Sequence, residues 1–454
     1  MHVGLKRIAA MLAAVMLAMM ALAGAAHAGV ETSQGGPGCV RPEPTDDDTL
    51  SILGVICDRR ETPQVPVEGV SFTVEEEGEV VDEATSGADG TFVIDLPGAP
   101  IDNLGKTLVV KLDDSSLPKD TEPDTLERTV TVNLDQDKSV LFGIGEASEA
   151  GSGFGAQAAQ LVVGGIVFSV LLAMAALGLS MVFGTTGLTN FSHGELITFG
   201  ALAAFAVDQL PGAIRIGGAN ITIAVAVVVA FVVSGAFGWL NDAALWRPLR
   251  RRGTGIIAMM IVSIGLSIFL RNVFQYVNGA QSQNYSQYSA IQPWEIGPIL
   301  LTPKELIVSL AGMAVLLATV ALLQFTRLGK AARAVADNPA LSSATGINVE
   351  RVINLVWIGG GALAGLSGAL LGLTQGFDYQ IGFKLLLLVF AAVVLGGLGT
   401  IWGAIVGAFI IGLFTELSTL LVPAEFKFVG ALLLLIVVML VRPQGLLGKA
   451  QRVG

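Results

Sequence analysis

The chain has 454 residues, 53% of them hydrophobic and 14% charged, and a mean hydropathy of +0.70, which excludes an ordinary soluble protein and leaves room for two or three domains. The net charge of −11 is unevenly spread: residues 29–155 hold 27 acidic and 8 basic side chains, residues 156–454 hold 10 and 16. An acidic soluble module thus precedes a mildly basic membrane body, and no Lys/Arg cluster interleaved with aromatics points to a nucleic-acid partner.

Residues 1–28 read as a secretory signal, with Lys6 and Arg7 ahead of the apolar run Ile8–Ala23 and the small-x-small pattern Ala26-His27-Ala28 at its end. The alternative is a retained first spanning helix. Residues 29–50, rich in Gly, Pro and Asp, form a flexible lead-in. Residues 51–145 then change to short alternating runs, VSFTVEEE, GTFVIDL, KTLVVKL and RTVTVNL, the pattern of strands with one buried face. Turn residues at Gly69, Asp89-Gly90, Pro97-Gly98 and Pro118 separate them. Cys39 and Cys57 are the chain's two cysteines, and in an exported module they are expected to form a disulfide rather than a metal site. GVSFTV…ATSGADGTFVIDLP is similar to carboxypeptidase-regulatory-like and prealbumin-type β-sandwiches, which implies a structural or adhesive module.

Residues 146–158 (EASEAGSGFGAQA) read as a linker to the membrane domain, 159–454. Nine apolar segments follow, near 160–183, 195–210, 220–241, 255–277, 303–325, 351–374, 384–398, 399–421 and 425–442. The seventh is shorter than the roughly 20 residues of a simple span and is expected to be a half-span or re-entrant piece. A cleaved signal would leave the β module outside, and alternation then puts 246–252, 327–351 and the C-terminus inside. Those segments carry eleven Lys/Arg against four in the outer loops (Arg215, Lys304, Lys384, Lys427), as the positive-inside bias requires. Arg271 is expected to snorkel outward, and Glu416 to sit deeper.

One stretch, Gly178–Gly200, crowds Thr185, Thr186, Thr189, Asn190, Ser192, His193 and Glu195 into an apolar region, with Gly184, Gly187 and Gly194 between them. Hydrocarbon penalises each polar group unless protein or water pairs it, so a broken helix pair lining a cavity fits better than a straight span. A wet cytoplasmic turn is the other reading. Later, LGGLGTIWGAIVGAFIIG gathers Gly396, Gly397, Gly399, Gly403 and Gly407, either for close helix packing or as a second broken segment. The basic loop 327–351 has a helix break or restart at Asp337-Asn338-Pro339 and a stop at Gly346. No GxSxG, HExxH, CxxC or GxxxxGK[ST] motif occurs, so the chain is not expected to be an enzyme or to bind ATP itself.

GLTNFSHGE, RAVADNPALSSATGINVERV, AAVVLGGLGTIWGAIVGA and VRPQGLLGK resemble, in this order, motifs of the branched-chain amino acid ABC transporter permeases, over roughly residues 160–450. The resemblance implies an all-α polytopic membrane protein of about 8–9 transmembrane segments in the cytoplasmic membrane, here with an extracytoplasmic N-terminal β-sandwich. Its implied partners are separate ATPase subunits that bind ATP and Mg, a second homologous permease subunit, an extracytoplasmic substrate-binding protein, membrane lipid and a small-molecule substrate. Thr186, Asn190, Ser192, His193 and Glu195 would line the substrate pathway. Arg333, Ala334, Asp337, Asn338, Ala340, Gly346 and Ile347 would form the ATPase-coupling loop. The alternatives are a permease for urea or short amides, an ATP-independent transporter or channel, and a surface adhesion or sensing protein whose membrane part is only an anchor.

Overall fold

The computed structural model describes residues 49–448, apart from 59–64, 77, 99, 104–105, 119–120, 122, 124–125, 133–137, 145–153, 211–213, 217–218, 280–281, 284, 286–293, 297–298, 421–426 and 442–443. The expected signal, most of the lead-in, Cys39 and the first part of the linker lie outside the described residues. Two compact units emerge, one within Thr32–Glu149 and one within Ala150–Gly454.

The first is a sandwich of two sheets. Strand β1 (Ser51–Asp58) pairs antiparallel with β2 (Val65–Pro66) and β5 (Thr91–Asp95), and parallel with β8 (Lys138–Ile144). The second sheet runs in the order β4 (Glu79–Thr85), β3 (Ser71–Glu76), β6 (Thr107–Leu112), β7 (Glu127–Thr131). Alternation does the work: Phe72 and Val74 of β3, Phe92 and Ile94 of β5, and Leu108 and Val110 of β6 all turn into one core. Phe72 stacks on Phe92 at 3.8 Å between ring centroids, with Phe142 tilted 5.1 Å from Phe72. Gly54 makes room for this cluster, since a Cβ there would fall 1.9 Å from the Phe92 ring. Cys57, at the end of β1, is disulfide-bonded.

The second unit is helical. Its helices are α1 (Phe154–Thr186), α2 (His193–Asp208), α3 (Thr222–Asn241), α4 (Arg247–Arg251), α5 (Ile256–Asn278), α6 (Pro303–Phe325), α7 (Arg327–Asp337), α8 (Pro339–Ala344), α9 (Val349–Gln375), α10 (Ile381–Gly396), α11 (Ile401–Leu417) and α12 (Lys427–Val441). Each of the nine apolar segments read from the sequence forms a helix, and among the described residues six helices are long and apolar enough to cross a membrane. α1 begins at Phe154, inside the stretch read as linker, because Ala156, Gln157 and Ala158 contain no breaker to delay it. At 33 residues it is about 50 Å long, well beyond the ~30 Å hydrocarbon core. α10, with 16 residues, is too short for a simple crossing.

Helices α1 and α9 form the centre and are mostly buried, whereas α5 and α6 expose rows of apolar side chains such as Ile257, Ile261, Ile268, Leu310 and Leu317. In a bilayer those rows meet lipid. Glycine sets the inner spacing. A Cβ on Gly200 of α2 would lie 2.0 Å from the Gly365 carbonyl of α9, and one on Gly407 of α11 would lie 2.0 Å from the Ala392 carbonyl of α10. Such pairs bring backbones into contact and replace the solvent-driven packing of soluble bundles with dispersion.

Candidate functional site: a polar break between α1 and α2 and the segment beside it

Helix α1 ends because its last side chains turn back on it. Thr186 Oγ1 donates to the Val182 carbonyl at 2.7 Å and accepts from Leu188 N at 3.2 Å, and Gly187 takes a left-handed φ of +67°. Asn190 then organises the return: its Oδ1 accepts from Ser192 N (3.1 Å) and Ser192 Oγ (2.7 Å), an Asx-type turn that delivers the chain into α2 at His193. His193 Nε2 lies 3.0 Å from the carbonyl of Ala175, which can only accept, so this ring nitrogen carries the proton. Ala175 is eleven residues before the end of α1. The connection therefore climbs back along α1, and α2 starts inside the bundle rather than at its edge.

Asn190, His193 and Glu195 have no exposed surface and Ser192 almost none, so the wet-turn reading does not hold, while Thr186 is half-buried. Glu195 Oε1 accepts from Ser267 Oγ at 2.8 Å and faces Arg271 Nε at 3.6 Å. Arg271 also reaches Ser267 Oγ at 3.4 Å and lies 3.8 Å above the Phe383 ring. The expected outward snorkelling of Arg271 is thereby corrected: its charge turns inward because a buried carboxylate and an aromatic face await it. Asn190 Nδ2, His193 Nδ1 and Glu195 Oε2 are buried and have no hydrogen-bond partner among the described residues, leaving one donor and two acceptors together on this short stretch.

The glycines 396–407 divide their tasks. Gly396 and Gly403 touch backbone to backbone, a Cβ on the first falling 1.8 Å from the carbonyl of the second. Gly397 and Gly399, at φ +113° and +76°, form the turn between α10 and α11. That turn meets the first break: a Cβ on Gly184 would be 3.3 Å from Gly399 Cα.

The segment after α6 is built from caps. Thr326 caps α7, Asn338 Oδ1 accepts from Leu341 N at 2.9 Å to start α8, and Gly346 stops the segment at φ +88°. Arg333 donates to the carbonyls of Leu323 and Gln324 at the end of α6, so it anchors α7 while its surface stays open. Asp337, Asn338, Ala340 and Gly346 are exposed, whereas Ala334 and Ile347 are half-buried. Leu341 is 63% exposed at the tip of α8, a feature that burial reveals and composition does not. A cavity of about 50 Å³ is lined by Gly184 and Thr185 of α1, Gly399 of the turn, and Gly329, Ala332 and Arg333 of α7. One small space thus joins the first break, the second break and the basic segment.

Just past that segment, Glu350 in the first turn of α9 pairs with Arg247 (3.1 Å) and Arg250 (3.3 Å). Arg250 also holds Asp242, wholly buried in a π-helical turn (Asp242–Trp246), at 2.8 Å, and Asn354 donates to the same carboxylate at 3.0 Å. Beneath it Trp246 and Trp357, both with no exposed surface, stack at 5.8 Å.

Residues 161–440 match the family described as branched-chain amino acid transport system / permease component. The chain belongs to that family. It is 33% identical over 298 residues to the high-affinity branched-chain amino acid transport system permease protein LivH of Escherichia coli (strain K12), covering 64% of this chain and 96% of that one. Identity to BraD, named likewise, of Pseudomonas aeruginosa is 29% over 300 residues, again 64% and 96%. A probable LivH of Methanocaldococcus jannaschii is 30% identical over 309 residues, 64% and 92%. No solved structure matches. Membership of this permease family makes the chain a multi-pass protein of the cytoplasmic membrane and a transport component rather than an enzyme. The family match leaves the β module outside it.

Proposed function

We propose that this chain is the membrane-spanning subunit of an ATP-binding-cassette importer that moves branched-chain or similar apolar amino acids by alternating access. The observation that carries the reading is the cavity shared by the α1 end, the α10–α11 turn and α7, because a push on the basic segment has a direct path to both broken helices. In this mechanism a substrate-loaded binding protein docks on the outer face. Two separate ATPase subunits, which hold ATP and Mg, close on the inner face, and a second, homologous permease subunit completes the pathway. α8 is the docking helix: Leu341 and Ala340 enter a cleft of the ATPase, and Arg333 makes α7 and the end of α6 move with it. Asn190, Ser192, His193 and Glu195 sit where the broken pair changes shape, their spare donor and acceptors serving water or the passing polar end of the substrate.

The test is co-expression of the chain with ATPase, second permease and binding protein, followed by reconstitution. Leu341→Ala and Asp337→Ala are expected to lower co-purification of the ATPase and substrate-stimulated ATP hydrolysis. Asn190→Ala is expected to keep the complex but to cut uptake severalfold. Leucine uptake that proceeds at full rate without any ATPase subunit would overturn the reading in favour of a secondary transporter.

A further inference from the structure

A second, larger cavity, of about 220 Å³, lies on the far side of the bundle from the basic segment. Phe168 of α1, Leu371 of α9, Phe377, Ile381 and Leu385 at the start of α10, and Phe428 of α12 give it apolar walls. Its volume is below the ~300 Å³ at which pockets for drug-sized ligands begin, so it suits a small molecule. Two opposite charges stand at its rim, Asp378 and Lys384, and they pair with each other. The carboxylate is fixed: Asp378 Oδ1 accepts from Gln380 N at 3.0 Å, and the neighbouring Phe377 exchanges backbone hydrogen bonds with Gln283 at 2.8 and 2.9 Å. The ammonium is mobile, since the Lys384 side chain is 50% exposed on a four-carbon stem.

Resting on the importer reading, we propose that this cavity is the outer substrate site and takes a zwitterionic amino acid with an apolar side chain. The ligand's ammonium meets Asp378, its carboxylate meets Lys384 as that side chain swings aside, and its side chain fills the apolar walls. One ion pair opens and two form, with no net charge brought into the cavity. A ligand of single charge leaves one partner uncompensated next to apolar walls, which is costly. A hydroxyl-rich ligand would have to shed water against the same walls for nothing in return. The site also has a route to the break. Ile381, Lys384 and Leu385 face the cavity from the first turn of α10, and the same turn packs Gly382 against Gly194 and Phe383 beneath Arg271. Filling the cavity therefore bears on the start of α2 through a single helical turn.

The experiment is binding of radiolabelled L-leucine to the full chain in nanodiscs, with 4-methylpentanoate (no ammonium) and 3-methylbutan-1-amine (no carboxylate) as competitors. In the wild type neither competitor displaces leucine at tenfold excess. Asp378→Asn is expected to weaken leucine at least tenfold and let 4-methylpentanoate compete; Lys384→Met is expected to weaken it similarly and let the amine compete. Leu385→Trp, which fills the cavity, removes binding. Asp378→Ala/Lys384→Ala, which leaves no lone charge, keeps the wild-type melting temperature and loses leucine. Leucine binding that survives Leu385→Trp, or charge variants that select neither competitor, overturns the proposal, as does a wild-type chain that binds no leucine. ATP-driven leucine uptake by the assembled transporter separates the two readings. Uptake with an unchanged KM in Leu385→Trp removes the cavity and keeps the importer, whereas no chain-dependent, ATP-driven uptake of leucine removes both.

Discussion

Arg271 reaches a carboxylate 76 positions earlier in the chain: its Nε lies 3.6 Å from Oε1 of Glu195, which has no exposed surface. The pair makes a sharp prediction. Arg271→Ala strands a buried carboxylate and is expected to destabilise the chain by about 3 kcal/mol, the scale for breaking a buried pair. Adding Glu195→Gln should recover most of that loss, and thermal melting of the two variants checks it. Additive losses would mean that the 3.6 Å approach carries no coupling. In the β module, Asp89 is held below the usual carboxylate range because its Oδ1 accepts from Thr91 Oγ1 (2.8 Å) and Thr91 N (3.1 Å). The sign follows: this stabilisation is present above the unfolded value of about 3.9 and fades as pH falls through the lower folded value. Thr91→Val should raise the Asp89 midpoint, as a carboxyl NMR titration reads, and a midpoint that did not move would refute the assignment.

At the scale of elements, every apolar run named from the sequence is a helix and every alternating run a strand, because periodicity and length carry that information directly. The polar break between α1 and α2 was legible too, from threonines and glycines that no straight span tolerates. What stayed hidden was depth. His193 lies beside Ala175, not beside the end of α1, because the return is fixed by one Asn190 turn and by long-range packing that local residues do not encode. The π-helical turn at Asp242 was equally invisible, since its buried carboxylate is met by Arg250 eight residues on and by Asn354 of α9, partners that no local pattern signals. Glycine contacts turn this into a prediction. Gly382→Ala would place a Cβ 1.8 Å from the Gly194 carbonyl and force α10 away from α2, whereas Gly265→Ala in α5 meets nothing within 4 Å. The first is expected to abolish stable expression and the second to be neutral or stabilising by up to about 1 kcal/mol, as Ala is in a helix. Fluorescence-detected gel filtration of both variants decides; equal behaviour would remove the packing argument.

For the whole molecule the expected asymmetry is that the β module faces outward and the segment around α8 faces inward. Cysteine introduced at the exposed Ala340 in a chain cleared of other reactive thiols should resist an impermeant maleimide in intact cells and label after permeabilisation. Labelling in intact cells would invert the topology and with it the docking role of Leu341. The acidic and basic halves of the sequence could be read apart because one alternates with the period of strands and the other runs in long apolar segments. The Trp246–Trp357 stack has an optical consequence. The chain's other three tryptophans are each about half exposed, Trp239 and Trp402 on helices that span the membrane and Trp294 outside them. Acrylamide in water together with a brominated lipid should therefore silence them and leave a blue-shifted emission from the buried pair, whose indoles stand close enough for exciton coupling in the near ultraviolet. Because one indole rides on α9, just beyond the Glu350 ion pairs, and the other on the π-helical turn after α3, that residual signal is a label-free readout of any shift of α9 against that turn.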